Sequence, residues 1–242
     1  MKKTIFLGAI ALISLSTFAQ DKSGDAGITY GVKAGVTFPT FSATDIGDLT
    51  VKSITSFYVG GVVNIPVHSM LSVQPGLTLI GKGSKATSSE QLLEGVDFYS
   101  QVTPMYLEIP VNLIANFEAG PGKVFVGAGP YLSFGIGGKV KSVATLNGNP
   151  VDPFTGSSDD NNTHNFVRSL KFGTNSSTDK SKDFKSLDFG LNFLLGYQLT
   201  NGLSINGGYG LGLTNIDSDT DIEGNKASVK NSVISVGLGF AF

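Results

Sequence analysis

The chain has 242 residues, a formal net charge of −2, 15% charged residues, 32 glycines and no cysteine. That length suits one domain; without a basic surplus nothing drives nucleic-acid binding by counterion release, and without cysteine there is neither a disulfide nor an acylated N-terminal cysteine. Charge falls below the roughly 25% of soluble domains and glycine exceeds the usual ~7%, which suits closely packed strands.

Lys2 and Lys3, an apolar run from Ile5 to Leu15 and the small-residue site Thr17-Phe18-Ala19 read as a secretory signal cut after Ala19. The organisation predicted is therefore a signal over 1–19, a short linker over 20–26 and one domain over 27–242. The apolar run is shorter than the ~20 residues of a membrane helix. No later run is long enough to cross as a helix either, which leaves a soluble secreted fold or a barrel.

The rest of the chain alternates with period two. Ile28 to Phe38, Phe57 to Val67 and Leu71 to Gly81 do so weakly. Met105, Leu107, Ile109, Val111, Leu113, Ala115 and Phe117 then alternate with Tyr106, Glu108, Pro110, Asn112, Ile114 and Asn116. The split recurs from Val124 to Ile136, from Leu187 to Thr200 and from Leu203 to Asn215, and ends with Ile234, Val236, Leu238, Phe240 and Phe242 against Val233, Ser235, Gly237, Gly239 and Ala241. In a membrane barrel one such face meets lipid and the other the lumen. The apolar faces carry no charge, where a midplane Lys or Arg would cost about 2–4 kcal/mol. Each segment is near the ~9–11 residues a tilted membrane strand needs. The fold predicted is all-β: an antiparallel up-and-down transmembrane β-barrel of about eight strands.

Connections alternate in length. Short turns fall at Val67-His68-Ser69, Ala119-Gly120-Pro121-Gly122 and Thr200-Asn201-Gly202, and long ones at Pro39–Ser53, Gly83–Phe98, Lys139–Asp183 and Ile216–Lys230. This places both termini on the periplasmic side and the long loops outside, with Lys139–Asp183 expected to be mobile. Pro75, Pro110 and Pro130 fall inside strands, where bulges are the expected accommodation.

Lys33, Lys82, Glu108 and Asp188 are the charges assigned to the lumen, where pairing into a structural network is expected, an ion- or proton-conducting role being the alternative. An eight-stranded interior is just wide enough for side chains, which argues against a pore. Gly76 to Lys82 matches the start of a phosphate-binding loop, but Gly83 replaces its Ser or Thr and the segment reads as strand. Asp217, Asp219 and Asp221 open like a calcium loop, but Ile222 and Ser228 replace its Gly and Glu, so an acidic surface loop is the simpler reading. His68 sits in a short turn. His164, with Ser157, Ser158, Asp159 and Asp160, is the one rim group for hydrolytic chemistry, and its polar loop explains it as well. No catalytic, metal or cofactor site is expected. Aromatics near strand ends suit a headgroup girdle, whereas Tyr106 and Tyr131 point inward. Leu238, Phe240 and Phe242 look like the terminal signal read by the barrel-assembly machinery.

Val73-Gln74-Pro75-Gly76-Leu77 with Gly81-Lys82-Gly83, Tyr106-Leu107-Glu108-Ile109-Pro110-Val111 and Gly127-Ala128-Gly129-Pro130-Tyr131 follow one another in order. Asp188-Phe189-Gly190-Leu191-Asn192, Tyr209 to Ile216 and the last strand complete the set. From about Gly31 to Phe242 these segments resemble the outer-membrane β-barrel family of Bacteroidota that includes the PorT-like proteins. The resemblance implies a barrel in the Gram-negative outer membrane that tolerates the strand prolines. It implies no activity, and PorT-like members are linked to protein secretion and gliding. The expected function is non-enzymatic, as a structural or interaction component presenting loops at the cell envelope. The alternatives are a PorT-like accessory to secretion and an outer-leaflet lipid-modifying enzyme. Expected partners are outer-membrane lipid, the barrel-assembly machinery and other envelope proteins.

Overall fold

The computed structural model describes residues 27–44, 49–88, 96–146, 149–151, 166–175, 181–218 and 228–242. The signal and linker readings over 1–26 lie outside the described residues. The strands in chain order are β1 (Thr29–Thr44), β2 (Leu49–Lys52), β3 (Ser56–Pro66), β4 (Leu71–Gly81), β5 (Ser84–Ser88), β6 (Val96–Ala119), β7 (Gly122–Leu146), β8 (Asn149–Val151), β9 (Phe166–Ser169), β10 (Leu187–Leu199), β11 (Leu203–Gly212) and β12 (Ser228–Ala241).

The eight long strands close a ring, β1-β3-β4-β6-β7-β10-β11-β12 and back to β1, with every pairing antiparallel. Closure runs from Gly31 opposite Ala241 to Thr44 opposite Ser228. Short turns join β3 to β4, β6 to β7 and β10 to β11 at one end, where the start of β1 and Phe242 also lie. The alternation predicts the outward faces well: Ile234, Val236, Leu238, Phe240 and Phe242 are exposed, whereas Val233 is buried at 5%.

Inside the wall, large side chains stand beside absent ones. The row Gly237, Gly35, Tyr58, Ile80, Tyr106, Gly135 runs across six strands in direct register. A Cβ on Gly35 or Gly237 would collide with the Tyr58 ring, and one on Gly135 with Phe172. Tyr58 uses the space to cross the lumen, donating from its hydroxyl to Asn206 Oδ1 at 2.9 Å.

The strand prolines are accommodated without the expected bulges. Pairing lapses for two residues between β3 and β4 at Pro75, between β4 and β6 at Pro110 and between β6 and β7 at Pro130, then resumes in the same register. Proline lacks a donor toward only one of its two neighbours, so one ladder opens and the other holds. The register shift in the β6–β7 pair lies elsewhere, between Met105 and Tyr106.

Several predicted loops are partly strand. β1 continues to Thr44, β6 begins at Val96 and β7 runs to Leu146, so the 24- and 25-residue strands β6 and β7 far exceed the ~9–11 that cross a bilayer. β5 keeps the β4 register against β6, Gly81 facing Met105 and Ser84 facing Val102, and is β4 resumed after a break at Lys82-Gly83. β2 pairs with β5, and β8 and β9 pair with β7. Part of Lys139–Asp183, expected to be mobile, is therefore sheet, because the extended β6–β7 hairpin offers strand partners beyond the barrel rim.

Gly237→Val is expected to destabilise the barrel by roughly 1–3 kcal/mol, the usual cost of overpacking. Gly61→Val, on the outer face where an added Cβ meets nothing closer than 3.8 Å, should leave the urea midpoint and the heat-modifiable gel band unchanged. Equal behaviour of the two variants would refute the packing account.

Candidate functional site: the plugged lumen

One cross-strand row on the inner wall reads Asp188, Ser133, Glu108, Thr78, Gly60, Lys33, Gly239, Ser204. Lys82 enters it from the β4–β5 break, where its N–H donates to the Pro104 carbonyl at 3.0 Å. The side chain is 1% exposed. Its Nζ lies 3.0 Å from Glu108 Oε2 and 2.9 Å from Asp188 Oδ2, and donates to Ser133 Oγ at 3.1 Å. The rings of Tyr131 and Tyr106 flank the ammonium, with centroids 4.2 Å and 5.1 Å away.

The two carboxylates are held from several sides. Glu108 accepts from Ser133 Oγ at 3.0 Å and from Asn192 Nδ2 at 3.1 Å. Asp188 Oδ2 accepts from Asn231 Nδ2 at 2.8 Å and from the Tyr131 hydroxyl at 3.3 Å. A buried ammonium is tolerable only with such partners, since each ion loses several kcal/mol of hydration on leaving water.

Three of the four predicted lumen charges are thus brought together, and Lys33 is not among them. Lys33 lies on the same row beyond Thr78 and Gly60, and it makes no ion pair among the described residues. It faces a cavity of about 590 Å³ below the cluster, lined also by Gln74, Asn116, Glu118, Lys123 and Gln198 toward the short-turn end. The interior is therefore not filled by side chains as expected of eight strands. Inward glycines such as Gly208, Gly210 and Gly239 leave room there.

Above the cluster the mouth is capped. Phe172 packs edge-on against Tyr106 at 5.5 Å, and Ile216 is wholly buried. Backbone bonds tie the cap together: Gly135 N–H to Ser186 O, Lys185 N–H to Ile216 O and Ile216 N–H to Val229 O. Arg168 on β9 donates through Nη1 to Asp183 Oδ2 at 2.8 Å and also engages Oδ1. Asp183 Oδ2 accepts the Lys171 N–H as well. Burial pushes the Asp183 carboxyl up, but the bonds from Arg168 and the Lys171 backbone, with both positive charges nearby, outweigh it and hold the group below its ordinary value.

The other predicted positions stay apart from this cluster. Leu238, Phe240 and Phe242 lie on the outer face, where the Phe240 and Phe242 rings stack at 6.4 Å and the Phe242 N–H donates to Tyr30 O at 2.9 Å. His68 is exposed on its turn and meets Ser69 Oγ at 3.2 Å. His164, Ser157, Ser158, Asp159 and Asp160 lie outside the described residues, as do Asp219 and Asp221. The Asp217 N–H donates to Asn215 Oδ1. Gly76 to Gly81 is strand, with no helix following, so the phosphate-loop likeness has no structural counterpart. Among the described residues no three His, Cys, Asp or Glu side chains form a metal-binding group. The residues that escaped the sequence reading are Ser133, Asn192 and Asn231. The first two had the inward parity that would have exposed them, whereas Asn231 fell in the gap between a predicted loop and the predicted start of the last strand.

A family model described as outer membrane protein beta-barrel domain matches residues 18–218. Among solved structures, the Neisserial surface protein A is similar at 14% identity and a TM-score of 0.40, with 89% of this chain and 99% of that chain covered. The attachment invasion locus protein Ail of Yersinia pestis is similar at 11% identity and a TM-score of 0.39, with the same coverages. The outer membrane protease OmpT of Escherichia coli is similar at 10% identity and a TM-score of 0.33, covering 92% of this chain and 99% of that chain. No curated protein matches.

Lys82→Met removes the shared cation and leaves two buried carboxylates facing each other, so it should lower stability by about 3–5 kcal/mol in urea titrations of the folded barrel in detergent. An unchanged midpoint would mean that the cluster contributes nothing. The Arg168–Asp183 contact carries a separate pH signature. The folded Asp183 group titrates below the ordinary aspartate value, so its contribution is complete above that value and is lost as pH falls below it through the folded value. Proteolysis of the outer segment should accelerate on acidification through that range, and Asp183→Asn should abolish the acceleration.

Proposed function

Because the chain belongs to the outer membrane protein β-barrel domain family, we propose that it is a non-conducting, non-enzymatic display protein of the Gram-negative outer membrane. Its role in this reading is to hold an ordered sheet above the cell surface for envelope or external partners. The observation that carries the reading is the length of β6 and β7, 24 and 25 residues against the ~9–11 that the bilayer requires. Their outer halves are stiffened by β2, β5, β8 and β9.

The lumen supports the same reading. A conducting barrel needs a continuous aqueous path, and here the short-turn cavity ends at Lys82, Glu108 and Tyr131, with the Phe172 cap beyond. The resemblance to PorT-like proteins of Bacteroidota keeps an accessory role in secretion as the alternative.

Two measurements test the proposal. Reconstituted in planar bilayers, the protein should give no stepwise conductance; porin-like steps would refute the non-conducting part. Trimming the outer hairpin symmetrically, by deleting 97–102 together with 140–145, should leave the heat-modifiable barrel intact. With a photoreactive residue at Thr103, just outside the deleted segment, trimming should also remove the partner adducts trapped on whole cells. Adducts that survive trimming, or a deletion strain that loses its secreted cargo, would favour the secretion role.

A further inference from the structure

The outward face of the wall changes chemistry as it leaves the membrane. On β4, β6 and β7 it carries Leu77, Ile109, Leu132, Phe134 and Ile136, all exposed and apolar. Continued past Gly81, Met105 and Ile136, the same face carries lysines. Lys52 on β2 pairs with Lys85 on β5, Lys85 with Gln101 on β6, and Gln101 with Lys141 on β7. Directly paired residues project to the same side of a sheet, so Lys52, Lys85, Gln101 and Lys141 form one transverse row. Lys139, opposite Thr103, lies one row below.

Polarity here is one-sided. The row above holds Thr50, Thr87, Tyr99 and Val143, and the row below holds Thr103, Lys139 and Ser169, with no acid in either among the described residues. Lys52, Lys139 and Lys141 are exposed and Lys85 is half-buried, and none of the four makes an ion pair among the described residues. The Tyr99 hydroxyl donates to Gln101 Oε1 at 2.7 Å, which engages the amide oxygen and leaves the NH₂ as the donor end of that side chain. Like charges directly opposite each other destabilise a sheet. Lys52 facing Lys85 is unfavourable unless an anion sits between them.

Height identifies the anion. Lys139 and Lys141 stand three and five residues beyond Ile136, which at about 3.3 Å per residue and a tilt near 40° puts them roughly 8 and 13 Å above the point where the unbroken apolar series of β7 ends. A headgroup layer is about 5–8 Å deep on each side of a bilayer, and lysine stems fold back along an apolar wall to reach it. We propose that Lys52, Lys85 and Lys141, with the Gln101 amide and Lys139, form a binding site for the phosphate groups of outer-leaflet glycolipid on the lipid-facing wall of β2, β5, β6 and β7. The site lies on the outside of the sheet and is independent of any partner of its tip.

The test uses the full barrel in nanodiscs titrated with diphosphorylated lipid A and, separately, with the enzymatically dephosphorylated lipid. Wild type should bind the phosphorylated form more tightly, with affinity falling as salt rises. The triple variant Lys52→Ser, Lys85→Ser, Lys141→Ser should lose roughly 100-fold, about fivefold per lysine at a membrane surface. Lys171→Ser, on the cap away from this face, should lose nothing. The variant side chains are on the outer face and form no ion pair among the described residues, and removing Lys52 from opposite Lys85 relieves a like-charge contact, so the urea midpoint should hold or rise while the affinity falls. Equal affinity of wild type for the two lipids, or equal affinity of wild type and triple variant for the phosphorylated one, would overturn the proposal. Competition by millimolar inorganic phosphate as effective as that by lipid would assign the row to free anion and overturn it likewise.

Discussion

The constraint on which this structure depends is that lipid offers the backbone no hydrogen bonds. Each N–H and C=O at membrane depth must find a partner within the protein, and a sheet achieves that only by having no edge. The pairing of β1 with β12 is therefore the condition for the other seven interfaces to persist in a bilayer. It brings the start of β1 beside the last residue, so the Phe242 N–H reaches Tyr30 O beside the last turn. It also limits where proline can be placed. Pro75, Pro110 and Pro130 each open only one of two ladders and leave the register unchanged, so closure survives all three.

Closure in turn dictates what the interior can be. Eight strands give a narrow lumen in which side chains from opposite walls meet at the level of Lys82, and a charge at that level is remote from bulk water. One lysine between two carboxylates is the arrangement found, with Ser133, Asn192, Asn231 and Tyr131 taking up acceptor oxygens. Replacing a buried ion set with apolar groups is often neutral or stabilising, so such a set is a poor device for stability alone. Its place between the short-turn cavity and the Phe172 cap accounts for it better: it closes the path while joining β4, β6, β7, β10 and β12 through one ammonium and its acceptors.

How much of this was legible depended on which physical rule governed each part. The eight wall strands and their lipid faces followed from parity, because a charge at an outward position such as Val236 or Leu195 is too costly to occur. The inward assignment of Lys82, Glu108 and Asp188 came from the same rule. Their convergence did not, because it depends on register: Asp188, Ser133 and Glu108 align only when three strands are laid side by side. Lys33 had the same parity but lies three strands around the wall from Glu108. Strand lengths were misjudged where the apolar alternation stops at Gly81, Met105 and Ile136 while the pairing continues. Beyond the membrane, pairing is sustained by neighbouring strands rather than by lipid, and polar sequences such as Lys139 to Leu146 satisfy it equally well.

β5 keeps the register of β4, and β6 and β7 pass through the rim unbroken, so the projecting sheet is the barrel wall itself rather than a domain set on top of it. It inherits two faces. The inner one continues the lumen side and receives the cap, with Ser142 and Val140 buried and Arg168 holding Asp183. The outer one continues the lipid side, and its side chains pass from leucine and phenylalanine to lysine within a few residues. A free-standing sheet would have no reason to place its basic residues on the face that continues an oily wall, whereas a wall rising through a layer of anionic headgroups would. The distribution of charge along the strands thus follows the layers of the membrane they cross.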